Sequence, residues 1–183
     1  MDLKGKKVLV FGAGKSGIGA ADLIGSVGAQ PIIYDGNENL DKEAVLHKTN
    51  GTYTPEIWAG AFPEGEMESL DLVVLSPGVP TDLPLVKSFY EKGLPVWSEV
   101  ELAYRTGKGE VLAITGTNGK TTTTALLGKI MGDARESVFV VGNIGTAYTS
   151  KSLEMREDSV TSWRLSSSSA RRSVRSSTLQ KII

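Results

Sequence analysis

The chain reads as an α/β protein: a Rossmann-like parallel-sheet N-terminal domain followed by an incomplete phosphate-loop (P-loop) α/β central domain. Three observations predict this. Short apolar runs without alternation, at Lys7–Phe11, Leu70–Leu75, Val111–Ile114 and Val138–Val141, suit strands covered on both faces of a parallel sheet. Two of these runs lead directly into glycine loops that open helical patterns, at Gly12–Gly17 and Gly116–Gly119. And the 183 residues, 40% hydrophobic with a net charge of −1, describe a soluble globular chain.

Taken in order, Lys7–Phe11 is the first strand and Gly12-Ala13-Gly14-Lys15-Ser16-Gly17 its loop. A helical pattern follows through Ile18, Ala21, Leu23 and Ile24, with Gly28 as its stop. Pro31–Asp35 is a second strand ending in an acid, 18 residues after Gly17. Strand, glycine loop, helix, strand and acid in this order form a dinucleotide-type phosphate fingerprint. Between Gly36 and Ser69 the signal is weaker, with one helix near Leu40–Lys48. Leu70–Leu75 then runs into Ser76-Pro77-Gly78-Val79-Pro80, and Asp82 is placed to cap a helix through Leu85, Val86 and Tyr90. Pro95–Trp97 is a short strand. Ser98 with Glu101 makes a capping box for a helix to Arg105. Gly107-Lys108-Gly109 is the linker candidate, because a fresh strand–loop–helix unit starts just after it.

That second unit carries the most specific signal, Ile114-Thr115-Gly116-Thr117-Asn118-Gly119-Lys120-Thr121-Thr122-Thr123, opening a helix from about Ala125 to Met131. Glycines admit phosphates to main-chain N–H groups, the helix N-terminus favours anions, Lys120 neutralises charge and the Thr121 hydroxyl can reach a magnesium ion. Only two residues separate Gly116 from Gly119, against four in the general phosphate-loop pattern. Three threonines after Gly-Lys are poorly explained by helix propensity, because β-branched residues are indifferent helix formers. Val138–Val141 ends at Gly142-Asn143-Ile144-Gly145, and Leu153–Asp158 has a helical pattern.

Four motifs in order, Gly12–Gly17, Ser76-Pro77-Gly78-Val79, Gly116–Thr122 and Gly142–Gly145, resemble the Mur ligase family. Gly-Thr-Asn-Gly-Lys-Thr-Thr is the family's own loop and accounts for the glycine spacing. The resemblance implies an ATP-dependent, amide-forming ligase of peptidoglycan precursor synthesis in the bacterial cytoplasm, with ATP and Mg2+ as cofactors. Asn118, where the alanine-adding members usually have histidine, points to a member whose substrates are UDP-N-acetylmuramoyl-L-alanine and D-glutamate. The resemblance makes Gly116, Thr117, Asn118, Gly119, Lys120, Thr121 and Thr122 the ATP cradle. Lys120 would contact the β- and γ-phosphates and Thr121 would ligate Mg2+. It makes Gly14, Lys15, Ser16, Gly17, Asp35, Ser76, Pro77, Gly78 and Asn143 the contacts to the UDP substrate. The plain readings stay open: Asp35 as a strand-end turn residue, Ser76-Pro77-Gly78 as a tight turn, Asn143 as a turn residue tolerant of left-handed angles.

The resemblance covers residues 1–161, giving expected domains at 1–107 and 108–161. From Ser162 the composition changes. All 21 acidic residues lie at or before Asp158, so residues 1–161 carry a net −6 and residues 162–183 a net +5, with eight serines. A family member would have a magnesium-binding glutamate just after residue 161, where this chain reads Ser162-Trp163-Arg164-Leu165. An unrelated, disordered Ser/Arg-rich tail at 162–183 is therefore expected, as a shifted reading frame would produce, in a shortened chain of doubtful activity. The parent enzyme would be monomeric, whereas a central domain this short leaves an unpaired strand edge and favours self-association.

Some classes are disfavoured. No cysteine and one histidine leave no thiolate or protein-only transition-metal site, and His47 reads as a surface residue. No apolar run approaches the roughly 20 residues of a membrane span. The arginines of the tail lack the aromatic interleaving of a nucleic-acid binder. No Asn-Lys-X-Asp motif supports a GTPase. The rival readings are a non-catalytic UDP-sugar-binding fragment and an NAD(P)-binding oxidoreductase.

Overall fold

The computed structural model describes residues 2–50, 52–142 and 147–165. It divides into two compact units, residues 1–102 and 103–183. The division falls five residues before the Gly107–Gly109 linker. The stretch 103–107 belongs with the second unit, where Gly107 packs against the Ala103 carbonyl and Met155.

The first unit is built on β1 (Lys7–Phe11), α1 (Lys15–Ser26), β2 (Gln30–Asp35), α2 (Lys42–Leu46), β3 (Glu56–Ala59), β4 (Leu72–Leu75), α3 (Pro84–Glu91) and β5 (Val96–Ser98), and the division from the second unit falls within α4 (Glu99–Thr106). The five strands form one parallel sheet in the order β3-β2-β1-β4-β5. Val8, Leu9, Val10, Val73 and Val74 are completely buried, as their unbroken apolar runs require. The chain moves outward from β1 through β2 to β3, then returns to β4 on the other side of β1. This reversal opens a crevice beyond the C-terminal ends of β1 and β4, the place where open α/β sheets bind ligands.

Differences from the sequence reading have local causes. β3 lies in the stretch with the weakest signal. It is four residues long, and Trp58 is held there by its indole N–H donating to Glu56 at 2.7 Å. α1 starts at Lys15, inside the glycine loop, because the Gly14 carbonyl accepts the Ile18 N–H at 3.0 Å. α3 is not capped by Asp82. Leu83 is its cap, with Pro84 at the first helical position, where a missing N–H costs nothing. Glu101 N–H donates to the Ser98 hydroxyl at 3.2 Å, as the capping box requires, at the head of α4. His47 is exposed, at the end of α2.

The second unit holds β6 (Glu110–Ile114), α5 (Lys120–Ala134), β7 (Val138–Gly142), α6 (Tyr148–Lys151) and β8 (Val160–Arg164). The three strands among its described residues are parallel, ordered β6-β8-β7. The expected helix at Leu153–Asp158 is only a 3-10 turn, Ser152–Glu154. Residues Ser162–Arg164, placed by composition in the tail, instead complete the middle strand of this sheet. Hydrogen bonding explains how so polar a strand is buried. The Ser162 hydroxyl donates to the Thr124 carbonyl at 3.0 Å, and Ser159 shares its hydroxyl with Ser137 at 2.7 Å. Trp163 supplies the apolar bulk, 2% exposed and tilted against Tyr148. The rest of the expected tail, 166–183, lies outside the described residues.

Candidate functional site

The crevice at the switch point is a cavity of about 480 Å³. Eight sequence-predicted residues line it together: Gly14, Lys15, Ser16, Gly17, Asp35, Ser76, Pro77 and Gly78. Asn143, the ninth, lies outside the described residues.

The backbone explains why this loop is glycine-rich. Gly12 takes φ +108°, and a Cβ there would stand 2.9 Å from Ser76 Cβ. A Cβ on Gly17 would collide with the Gly12 carbonyl oxygen. The two glycines let the loop close between β1 and α1 against Ser76, whose hydroxyl donates to the Gly12 carbonyl at 3.3 Å. The first N–H groups of α1 have no partner within the helix, so they form an anion-ready rim on the cavity. Lys15 adds a positive charge to it.

Asp35 closes another side. Its carboxylate accepts the Ala13 N–H at 2.9 Å and the Asn37 N–H at 3.0 Å. This is the work of a strand-end turn residue, done at the cavity wall. The sequence reading missed the apolar wall made by Phe11, Val79, Pro80 and Leu83. For Phe11, Val79 and Pro80 the available signal was adjacency to Gly12 and to Ser76-Pro77-Gly78; Leu83, further along the chain, had none. It missed Glu99 as well. That carboxyl is pushed above its ordinary value by burial, with a Ser16 hydrogen bond partly opposing the shift, and its Oε2 has no hydrogen-bond partner.

In the second unit, Gly116–Thr122 joins β6 to α5. Gly116 and Gly119 have φ values of +143° and +74°, conformations that favour glycine. Thr117, Asn118, Thr121 and Thr122 are exposed. Lys120 folds back over the loop, donating to the carbonyls of Gly116 at 2.5 Å and Thr117 at 3.0 Å. Thr124 is fully buried and donates to the Lys120 carbonyl at 2.7 Å, which fixes the first turn of α5.

Among the described residues, those at the loop do not supply the carboxylates of a magnesium site. That ion is bound through one or two carboxylates together with phosphate oxygens and water. Thr121 offers one hydroxyl, the end of the neighbouring β8 is Arg164, and no group of three or more His, Cys, Asp or Glu side chains suited to a metal occurs among the described residues.

A doubly wound parallel sheet with a glycine-loop cavity at its switch point, followed by a strand, a Gly-Lys-Thr loop and a helix, defines a Rossmann-like α/β unit joined to a P-loop α/β unit. The Mur ligase MurD-like N-terminal domain model matches residues 6–98, and the Mur ligase middle domain model matches residues 114–174. The chain belongs to the Mur ligase family. It is 55% identical over 167 residues to the UDP-N-acetylmuramoylalanine–D-glutamate ligase of Lachnospira eligens, covering 91% of this chain and 37% of that protein. The enzyme of that name from Lachnoclostridium phytofermentans is 52% identical with the same coverage. The chain thus spans little more than a third of the length of these relatives. A murein peptide ligase from Psychrobacter arcticus has the same fold, with a TM-score of 0.51 at 17% identity over 88% of this chain and 38% of that one. The middle-domain match runs to residue 174, past residue 161 where the sequence reading ends the resemblance.

No helix among the described residues is long and apolar enough to cross a membrane.

Proposed function

We propose that the first unit binds the nucleotide end of UDP-N-acetylmuramoyl-L-alanine in the Gly12–Gly17 cavity, and that the Gly116–Thr122 loop binds ATP, for addition of D-glutamate in the cytoplasm. In that reaction the γ-phosphoryl group of ATP passes to the alanine carboxylate. The amine of D-glutamate attacks the acyl phosphate, and the new amide, ADP and phosphate are released. Activation is needed because a carboxylate is a poor electrophile with a poor leaving group. The protein's part is to position the reactants and neutralise the transferred charge.

The observation that carries this reading is the convergence of all eight described N-terminal candidates on one cavity, at the switch point of the sheet. The α1 N-terminus and Lys15 suit a diphosphate. The Asp35 carboxylate, at the far end of β2, suits a ribose or a uracil N–H. Lys120 and the loop amides suit a triphosphate.

One observation favours a narrower reading, a sugar-nucleotide-binding module without catalysis. The cavity lining falls entirely between Phe11 and Leu83, so binding there needs nothing from the second unit. D-glutamate-dependent phosphate release from ATP, in the presence of UDP-N-acetylmuramoyl-L-alanine, separates the two. Release supports the ligase. Tight sugar-nucleotide binding without release leaves the module, and absence of both overturns the proposal.

A further inference from the structure

The second unit sets the C-terminal end of β8 beside the end of β6 from which the phosphate loop departs. Side chains along β8 alternate between the two faces of the sheet. Ser162 bonds the Thr124 carbonyl, so it lies on the α5 face. Arg164, two residues on, shares that face and lies roughly 6–7 Å nearer the C-terminal edge. From Thr124 back to Lys120, α5 covers about 6 Å in the same direction, since a crossover helix runs opposite to its strands. Arg164 is therefore level with the first turn of α5. Its register partner in β6 is Ile114, and the next N–H, that of Leu165, donates to the Ile114 carbonyl at 2.9 Å, directly before the loop. The Arg164 Nε is buried and has no hydrogen-bond partner.

We propose that Arg164 is a polyphosphate-binding residue of the Gly116–Thr122 loop, and that it supplies positive charge at the strand end that a bound metal would otherwise provide. The inference rests on the reading that this loop holds a nucleotide triphosphate. A buried guanidinium N–H without a partner is costly, and a phosphate oxygen meets that need with a strong, charge-assisted bond. A planar guanidinium also matches phosphate geometry. Lys120, the other cation of the loop, is already bonded to two loop carbonyls. The chain then binds nucleotide triphosphate without a divalent metal.

Calorimetric titration with ATP in EDTA, and again in excess Mg2+, tests this on the full chain. The wild type should bind in EDTA with an affinity within about threefold of that in Mg2+. Arg164→Ala should weaken binding in EDTA roughly tenfold or more, the loss expected for one charge-assisted pair, and Arg164→Lys should recover part of it. Circular dichroism checks that both variants are folded. Should Arg164→Ala bind in EDTA as the wild type does, while Lys120→Ala loses binding, this inference falls and the loop assignment stands. Should the wild type ignore ATP under both conditions, the loop assignment falls and takes the inference with it.

Discussion

The Asp35 carboxylate accepts the main-chain N–H of Ala13 at 2.9 Å, tying the end of β2 to the loop that follows β1. Its other oxygen holds the Asn37 N–H at 3.0 Å. One side chain therefore fixes both the glycine loop and its own turn. Asp35→Ala strands the part-buried Ala13 N–H and leaves the exposed Asn37 N–H to water, at a cost of about 1–3 kcal/mol, and should loosen UDP binding as well. Asp35→Asn keeps one acceptor oxygen and should fall between. Urea unfolding and UDP titration read the two effects. Undiminished UDP affinity in Asp35→Ala would reduce Asp35 to a turn residue.

The loop glycines should separate folding from binding. Gly17→Ala sets a methyl against the Gly12 carbonyl and Ser76, and should cost about 1–3 kcal/mol of stability. Gly14 has nothing within 4 Å of its virtual Cβ and an ordinary backbone, φ −73° and ψ 178°. Gly14→Ala should therefore fold within about 0.5 kcal/mol of the wild type. Its methyl at the cavity rim should still lower UDP affinity roughly tenfold, by keeping phosphate off the amides. Equal melting temperatures for the two variants would contradict this division.

Glu99 gives a pH signature of definite sign. Its carboxyl is raised above the ordinary 4.5, first by desolvation, with the Ser16 hydrogen bond opposing. A carboxyl whose folded value lies above its unfolded one costs nothing below pH 4.5. It destabilises the fold progressively as pH rises from there to the folded value, and that cost persists above it. Glu99→Gln removes the ionisation, so the variant should match the wild type at pH 4 and exceed it in stability at pH 7. Chemical denaturation at the two pH values decides. A variant less stable than the wild type at pH 7 would mean that the ionised carboxylate is held favourably.

Gly128 inverts a helix-propensity rule. A mid-helix Gly→Ala change normally stabilises by about 1 kcal/mol. Here the added Cβ would collide with Val140 Cγ2 of β7, so Gly128→Ala should instead destabilise by about 1–3 kcal/mol. Adding Val140→Ala should return part of that loss. Independent, additive effects in the double-mutant cycle would disprove the contact.

Much of this was legible in the sequence because its signals are local. Unbroken apolar runs mark β1, β2, β4, β6 and β7. The glycine motifs sit where a loop must pass close to a strand, as Gly12 and Gly17 do. What was not legible depends on partners distant in sequence. β8 has no apolar period, because Ser162 and Ser159 are buried by bonds to Thr124 and Ser137, 38 and 22 residues away. β3 is too short to show a pattern, and its place is set by pairing with β2. Glu99 carries no local signal in the sequence, because its burial and its hydrogen bond with Ser16 depend on a partner 83 residues away. Arg164 looked like part of a basic tail until the strand register set it beside Ile114.

The central claim is that the switch-point cavity takes a uridine diphospho-sugar rather than a nicotinamide dinucleotide. Thermal unfolding of the full chain, with each ligand in turn, tests it most directly, because a ligand that binds only the folded state raises the melting temperature. The account predicts a rise with UDP-N-acetylmuramoyl-L-alanine, a smaller rise with UDP, and none with NAD(H) or NADP(H). A rise with a dinucleotide and none with the UDP-sugar would contradict it.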